Sequence, residues 1–214
     1  MNRSERHLYR LGLHYVSTAK EIALTDPPSA VVIFGLSNDL VRALADMSFD
    51  IIEAFVLANP PRFEPTVPLR TDLQPRDYLM RVALYHAGGF RSLPSNNSPS
   101  RRKRLQPPHL IDVGATHKTN DLIYRLNRSY LATLQSLIAS DITHASTLFA
   151  LTHREARIVR DTALDDLEHF ARVKIPLFKP VFSASSGHAR RDFLRQLKRY
   201  ASRRQMDKEY DNDG

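Results

Sequence analysis

Apolar residues at Leu8, Leu11, Tyr15, Ala19 and Ile22 recur every three or four positions, which predicts one amphipathic helix. The same stripe returns at Ile123, Leu126, Tyr130, Leu134 and Leu137. Asp26-Pro27-Pro28 and Asp141-Ile142-Thr143 break the two helices, and short apolar segments follow over Ala30 to Leu36 and Ala145 to Leu151. Ser37 and Thr152 close these segments as N-caps, and Glu155 three residues after Thr152 completes a capping box. Helices are therefore predicted at about 38–45 and 153–160. Ser48 and Asp50, or Ala163 and Asp165, open a further helix that ends near Ala58 or Val173. Proline then forbids helix at Pro60-Pro61-Arg62-Phe63-Glu64-Pro65 and Ile175-Pro176-Leu177-Phe178-Lys179-Pro180, so each is read as an extended strap with Phe63 or Phe178 as its apolar anchor. A last amphipathic helix is predicted at about 75–86 and again at about 190–204. Period-two alternation is short everywhere, and strands are not expected apart from the straps.

The recurrence is a gapless repeat. A shift of 115 residues superimposes the chain on itself from Leu8 over Ile123 to Tyr85 over Tyr200, with 21 of 78 positions identical. Unrelated sequences would agree at roughly one position in seventeen. The pattern gives two modules, at 1–90 and 119–206, joined by a basic Ser/Pro-rich linker at 91–118 and followed by an acidic tail at 207–214. Modules this small have marginal cores alone. Each is therefore expected to bury an apolar face against its copy, with Tyr15, Phe34, Leu36 and Phe55 of one module and Tyr130, Phe149, Leu151 and Phe170 of the other in a shared core. The expected fold class is all-α, as two tandem modules forming an intramolecular pseudo-dimer.

Charge divides unevenly along the 214 residues. Lys and Arg exceed Asp and Glu by 31 to 23, yet residues 1–70 hold 7 against 8 and residues 120–182 hold 8 against 7. The excess falls in 71–119, with 8 against 3, and in 183–214, with 8 against 5. Positive charge confined to segments beyond neutral bodies points to a polyanion, most often nucleic acid. Candidate phosphate contacts are Arg101, Arg102, Lys103 and Arg104 in the linker, and Arg191, Arg195, Lys198, Arg199, Arg203 and Arg204 on the last helix, whose other side is apolar. Each set also has a plain reading, the first as a solubilising linker and the second as a solvated or partner-binding helix.

Other chemistry has little to stand on. Cysteine is absent, which excludes disulfides, thiolate nucleophiles and Cys-type metal sites. The nine histidines form no HExxH or HxxxH pair and do not recur between the copies, and no GxSxG, GxGxxG or P-loop occurs. The repeated carboxylates Asp46/Asp161, Asp50/Asp165 and Glu53/Glu168 sit around a helix start, where the helix dipole accounts for them. Neither an enzyme nor a bound cofactor is expected. Residues 37–45 and 48–58 have the dimensions of a helix-turn-helix, but the second helix is apolar and acidic and would be repelled by phosphate, which favours a packing role. No segment approaches the roughly 18 apolar residues of a membrane span, and the polar start is unlike a secretory signal, so a cytoplasmic location is the expectation.

The skeleton Leu11, Tyr15, Asp26, Ala30, Phe34, Leu36, Ala45-Asp46-Met47-Ser48 and Phe63 is repeated at Leu126, Tyr130, Asp141, Ala145, Phe149, Leu151 and Phe178. Each copy resembles FlhD, the helical subunit of the bacterial flagellar master regulator. The resemblance rests on apolar spacings and covers most of both modules. It implies an all-helical transcriptional activator that dimerises and joins an FlhC-like, zinc-containing DNA-binding subunit in a hetero-oligomer, recruiting RNA polymerase at flagellar promoters. Relatives of the pair switch on conjugative-transfer genes. Two departures stand out: family members are single modules, and they often carry an inter-subunit disulfide near the strap, where this chain has Pro61 and Pro176. On this resemblance, covalent fusion is expected to substitute for the disulfide by giving the second module a millimolar-scale effective concentration. A different reading is an adaptor or anti-activator that binds an FlhC-like partner without touching DNA, and a third is an autonomous nonspecific DNA binder.

Overall fold

The computed structural model describes residues 3–66, 115–163, 167–168, 171–181 and 196–203. Helix dominates these residues, in keeping with an all-α class. The first copy runs α1 (Arg3–Thr25), α2 (Pro27–Phe34), α3 (Asn38–Asp46), α4 (Phe49–Ala58) and strand β1 (Arg62–Pro65). The second runs α5 (His117–Ser140), α6 (Ile142–Leu148), α7 (His153–Asp161) and strand β2 (Phe178–Val181), and residues 196–203 form a C-terminal helix. The predicted helix at 75–86 lies outside the described residues.

Matching residues perform matching local work. Asp26 and Asp141 cap α2 and α6, accepting hydrogen bonds from the backbone N–H of Ser29 (3.3 Å) and His144 (2.9 Å). Two prolines in the first turn of α2 need no N–H there, so the Asp-Pro-Pro break starts a new helix at once. Gly35 ends α2 in the left-handed region at φ 63°, and its repeat mate Ala150 adopts φ 48° after α6. Ser37 caps α3, while α7 carries the predicted capping box: Glu155 Oε2 accepts from Thr152 N and Oγ1, both at 2.8 Å. Even unlike residues keep a shared task. Lys20 donates from Nζ to the carbonyls of Leu44 and Ala45 at the end of α3, and its mate Gln135 donates to the carbonyls of Val159 (3.2 Å) and Thr162 (2.9 Å) at the end of α7.

α1 packs on α2, α3, α4 and, across the repeat, on α5, which packs on α6 and α7. Asp26 ties the two copies further, because its other carboxylate oxygen accepts from Thr116 N (3.4 Å) and Thr119 Oγ1 (3.2 Å) at the start of α5. These hydrogen bonds, led by that from Ser29, hold the Asp26 carboxyl below the ordinary carboxylate value against the opposing pull of burial.

The straps pair as a two-stranded antiparallel sheet. Arg62 stands opposite Val181, Phe63 opposite Pro180, Glu64 opposite Lys179 and Pro65 opposite Phe178. Glu64 and Lys179 are repeat mates, and the flanking pairs exchange around them, since Phe63 matches Phe178 and Pro65 matches Pro180. Both strap phenylalanines are fully buried. Phe63 of the first copy lies 5.4 Å from Tyr130 and 5.5 Å from Phe149 of the second, and Phe178 meets the same two rings at 5.4 and 5.3 Å. Of the predicted core, Tyr15, Leu36, Phe55, Tyr130, Phe149 and Leu151 are buried. Phe34 is half-buried, edge-on to Tyr15 at 5.4 Å, and Phe170 lies outside the described residues. The Tyr130 hydroxyl has no hydrogen-bond partner among the described residues, and burial, with the nearby Tyr15 phenol, pushes its pKa well above the usual tyrosine value.

One repeat pair diverges in kind. Gly12 lets α1 approach the chain entering β1, and a Cβ there would meet Pro61 Cγ at 2.8 Å and Val56 Cγ1 at 3.0 Å. Its mate Asn127 is buried and reaches the same stretch of the second copy by hydrogen bonding. Nδ2 donates to the carbonyls of Ala171 (3.2 Å), Val173 (3.3 Å) and Ile175 (2.9 Å), while Oδ1 accepts from Leu177 N (2.8 Å).

Candidate nucleic-acid interface

The C-terminal helix belongs to the second copy by sequence but docks on the first. Leu197 and Ala201 are buried one turn apart, and Tyr200 lies 5.4 Å from Phe55 of α4. This seating turns Lys198, Arg199 and Arg203 toward the start of α3, where with Ser37, Asp39, Leu40 and Ser202 they line an open cleft of about 550 Å³. Arg199 and Arg203 are exposed and Lys198 is half-buried, and all three line the cleft.

The backbone adds to that field. The N-terminus of a helix carries a partial positive charge of about half an elementary unit. On α3 the Ser37 hydroxyl caps only the N–H of Leu40, at 3.3 Å. The matching end of α7 already holds a carboxylate, that of Glu155, where α3 has Leu40. Asp39 in the first turn of α3 offsets part of the charge and leaves the lining positive overall. The chemistry of this lining suits phosphate: its polar groups are ammonium, guanidinium, hydroxyl and one carboxylate, with no histidine among them. Among the described residues no group of three His, Asp or Glu side chains converges as a metal site requires. No single helix among them is long and apolar enough to cross a membrane.

Lys198, Arg199 and Arg203, named from sequence as phosphate contacts, are thus brought together in one cleft. Arg101, Arg102, Lys103, Arg104, Arg191, Arg195 and Arg204 lie outside the described residues. Sequence reasoning did not anticipate the α3 side of the cleft. In the sequence Ser37 marks only a helix cap, and nothing nearby states that a helix some 160 residues further on comes to rest beside it. The available signal was the apolar side of that helix, Leu197, Tyr200 and Ala201, which demanded a partner. The acidic, apolar sequence of α4 favours a packing role. Ile52, Phe55 and Val56 do pack, but Phe49 and Leu57 remain exposed. Comparisons with protein-family models, curated proteins and solved structures find no match.

Proposed function

We propose that the protein is an FlhD-like transcriptional regulator whose two modules act as an intramolecular pseudo-dimer and whose cationic cleft takes the sugar-phosphate backbone of promoter DNA. The observation that carries the DNA-binding part is the convergence of Lys198, Arg199 and Arg203 on the N-terminus of α3. Support for the pseudo-dimer comes from the strap register, which exchanges repeat mates about Glu64 and Lys179, and from the α1–α5 packing. Contacts of this kind position a protein on DNA without reading its sequence. Base recognition then falls to a second subunit, for which the resemblance supplies an FlhC-like, zinc-containing candidate.

Salt dependence provides the test. Each phosphate neutralised on duplex DNA contributes about 0.9 to the slope of log K against log salt, so replacing Lys198, Arg199 and Arg203 by glutamine should flatten the slope by about 2 to 3. Fluorescence anisotropy with a labelled duplex measures it, with and without a zinc-containing partner. An unchanged slope and affinity in both conditions would remove the cleft from DNA binding and leave the adaptor reading in its place.

A further inference from the structure

Four large apolar side chains stand exposed among the described residues, Leu24, Val32, Phe49 and Leu57, and all belong to the first copy. At three of the matching positions the second copy has the smaller or polar residues Ala139, Thr147 and Arg172. The mate of Phe49 is Leu164, which keeps the apolar character and lies outside the described residues. On α4 the exposed face runs Phe49, Asp50, Glu53, Leu57, and Tyr9 of α1 reaches it by donating its hydroxyl to Glu53 Oε1 at 2.9 Å.

The second copy is an internal template for what such a face binds. Arg128 Nε meets Glu168 Oε1 at 2.9 Å, and the Arg172 guanidinium lies 5.9 Å from the centre of the Tyr124 ring. Glu168 and Tyr124 are the repeat mates of Glu53 and Tyr9, whereas Arg128 and Arg172 are the mates of Leu13 and Leu57. The first copy therefore keeps the carboxylate and the ring and replaces both guanidinium groups with leucines. Among the described residues neither Glu53 nor the Tyr9 ring meets a cation. What remains is an apolar surface with a built-in receptor for arginine.

We infer that this face of α1 and α4 docks an arginine-bearing amphipathic helix of a partner protein, with the partner's apolar side on Leu13, Phe49 and Leu57 and its guanidinium on Glu53 and Tyr9. Charge complementarity selects that occupant: the exposed face of α4 carries Asp50 and Glu53 and no basic residue. A second copy of the chain fits less well. Its own basic amphipathic helix, residues 196–203, is already seated through Leu197 and Ala201. The inference is independent of the DNA reading of the cleft.

The test uses the full chain and two synthetic helical peptides of about 18 residues with the same leucine face, one flanked by arginine and the other by glutamate. Calorimetry should find one site for the arginine peptide and binding at least about tenfold weaker for the glutamate peptide. Leu57→Arg, at a side chain 56% exposed, restores the second copy's residue and should weaken the arginine peptide by about tenfold without moving the melting temperature. Combined Arg128→Leu and Arg172→Leu should raise the stoichiometry from one to two. Equal binding of the two peptides, or indifference to Leu57→Arg, overturns the proposal. So does conversion of a dimer to a monomer by Leu57→Arg in sedimentation, which would assign the face to a second copy.

Discussion

Replacing Asn127 by alanine removes a buried amide that serves four backbone groups at once. Its two N–H donors are shared among the carbonyls of Ala171, Val173 and Ile175, and its oxygen holds the Leu177 amide just before β2. Two donor bonds and one acceptor bond at about 1 kcal/mol each give a loss of about 3 kcal/mol, with the deserted backbone groups unable to reach water. For a chain of this size that lowers the melting temperature by roughly 6 to 12 °C. A thermal melt followed by circular dichroism measures the shift, and hydrogen exchange should show the Leu177 amide losing protection.

Asn127→Asp separates the hydrogen bonds from the volume. The near-isosteric carboxyl can still accept from Leu177 N, but when ionised it faces three carbonyl oxygens. Its pKa is then higher in the folded protein than in the unfolded chain. The added penalty is absent below the unfolded value near 4 and grows as pH rises toward the folded one. This variant should therefore be less stable than Asn127→Ala at pH 7 and recover toward pH 4. A cost below about 1 kcal/mol for alanine, or an aspartate variant as stable as the wild type at pH 7, would refute the clamp.

Three further outcomes follow from the same structure. Ala150 is exposed at φ 48°, where a Cβ is unfavourable, so Ala150→Gly should stabilise by about 0.5–1 kcal/mol in chemical denaturation while Gly35→Ala should destabilise by a similar amount. Tyr130→Phe deletes a buried hydroxyl that has no partner among the described residues and should raise stability by about 1 kcal/mol; in alkaline titration read by ultraviolet absorbance, the wild-type phenol should ionise only on unfolding. Because the Asp26 carboxyl has a lowered folded pKa, its stabilisation is present above the unfolded carboxylate value and is lost as pH falls through the folded one; Asp26→Asn should reduce the acid sensitivity of melting below about pH 4.

Much of the helical skeleton was legible because its signals are local. The stripe from Leu8 to Ile22, the caps at Ser37 and Thr152 and the prolines of the straps each act within a few residues of where they stand, and the structure places helix ends and strands accordingly. Residues Ala30 to Leu36 show in the sequence only as an apolar run, and the helical state of its first part, up to Phe34, depends on Asp26 and on packing against α1 and α3. The site was half legible. Composition exposed Lys198, Arg199 and Arg203, but their meeting with α3 depends on a long-range docking event. Divergence between copies was visible at Gly12 and Asn127, yet its meaning required knowing that both face the strap.

The strap register also bears on which chains can exchange segments. Two nearly equivalent straps in one molecule invite trading between neighbours, the first strap of one chain pairing with the first strap of another. In such an exchanged pair the central position would oppose glutamate to glutamate, or lysine to lysine, whereas the chain's own pairing sets Glu64 against Lys179. Like charges directly opposite on a ladder destabilise it, and unlike charges contribute about 0.2–1 kcal/mol. The single position at which the sheet maps onto itself thus discriminates between partners, favouring the pairing of a first strap with a second strap over the pairing of two identical straps.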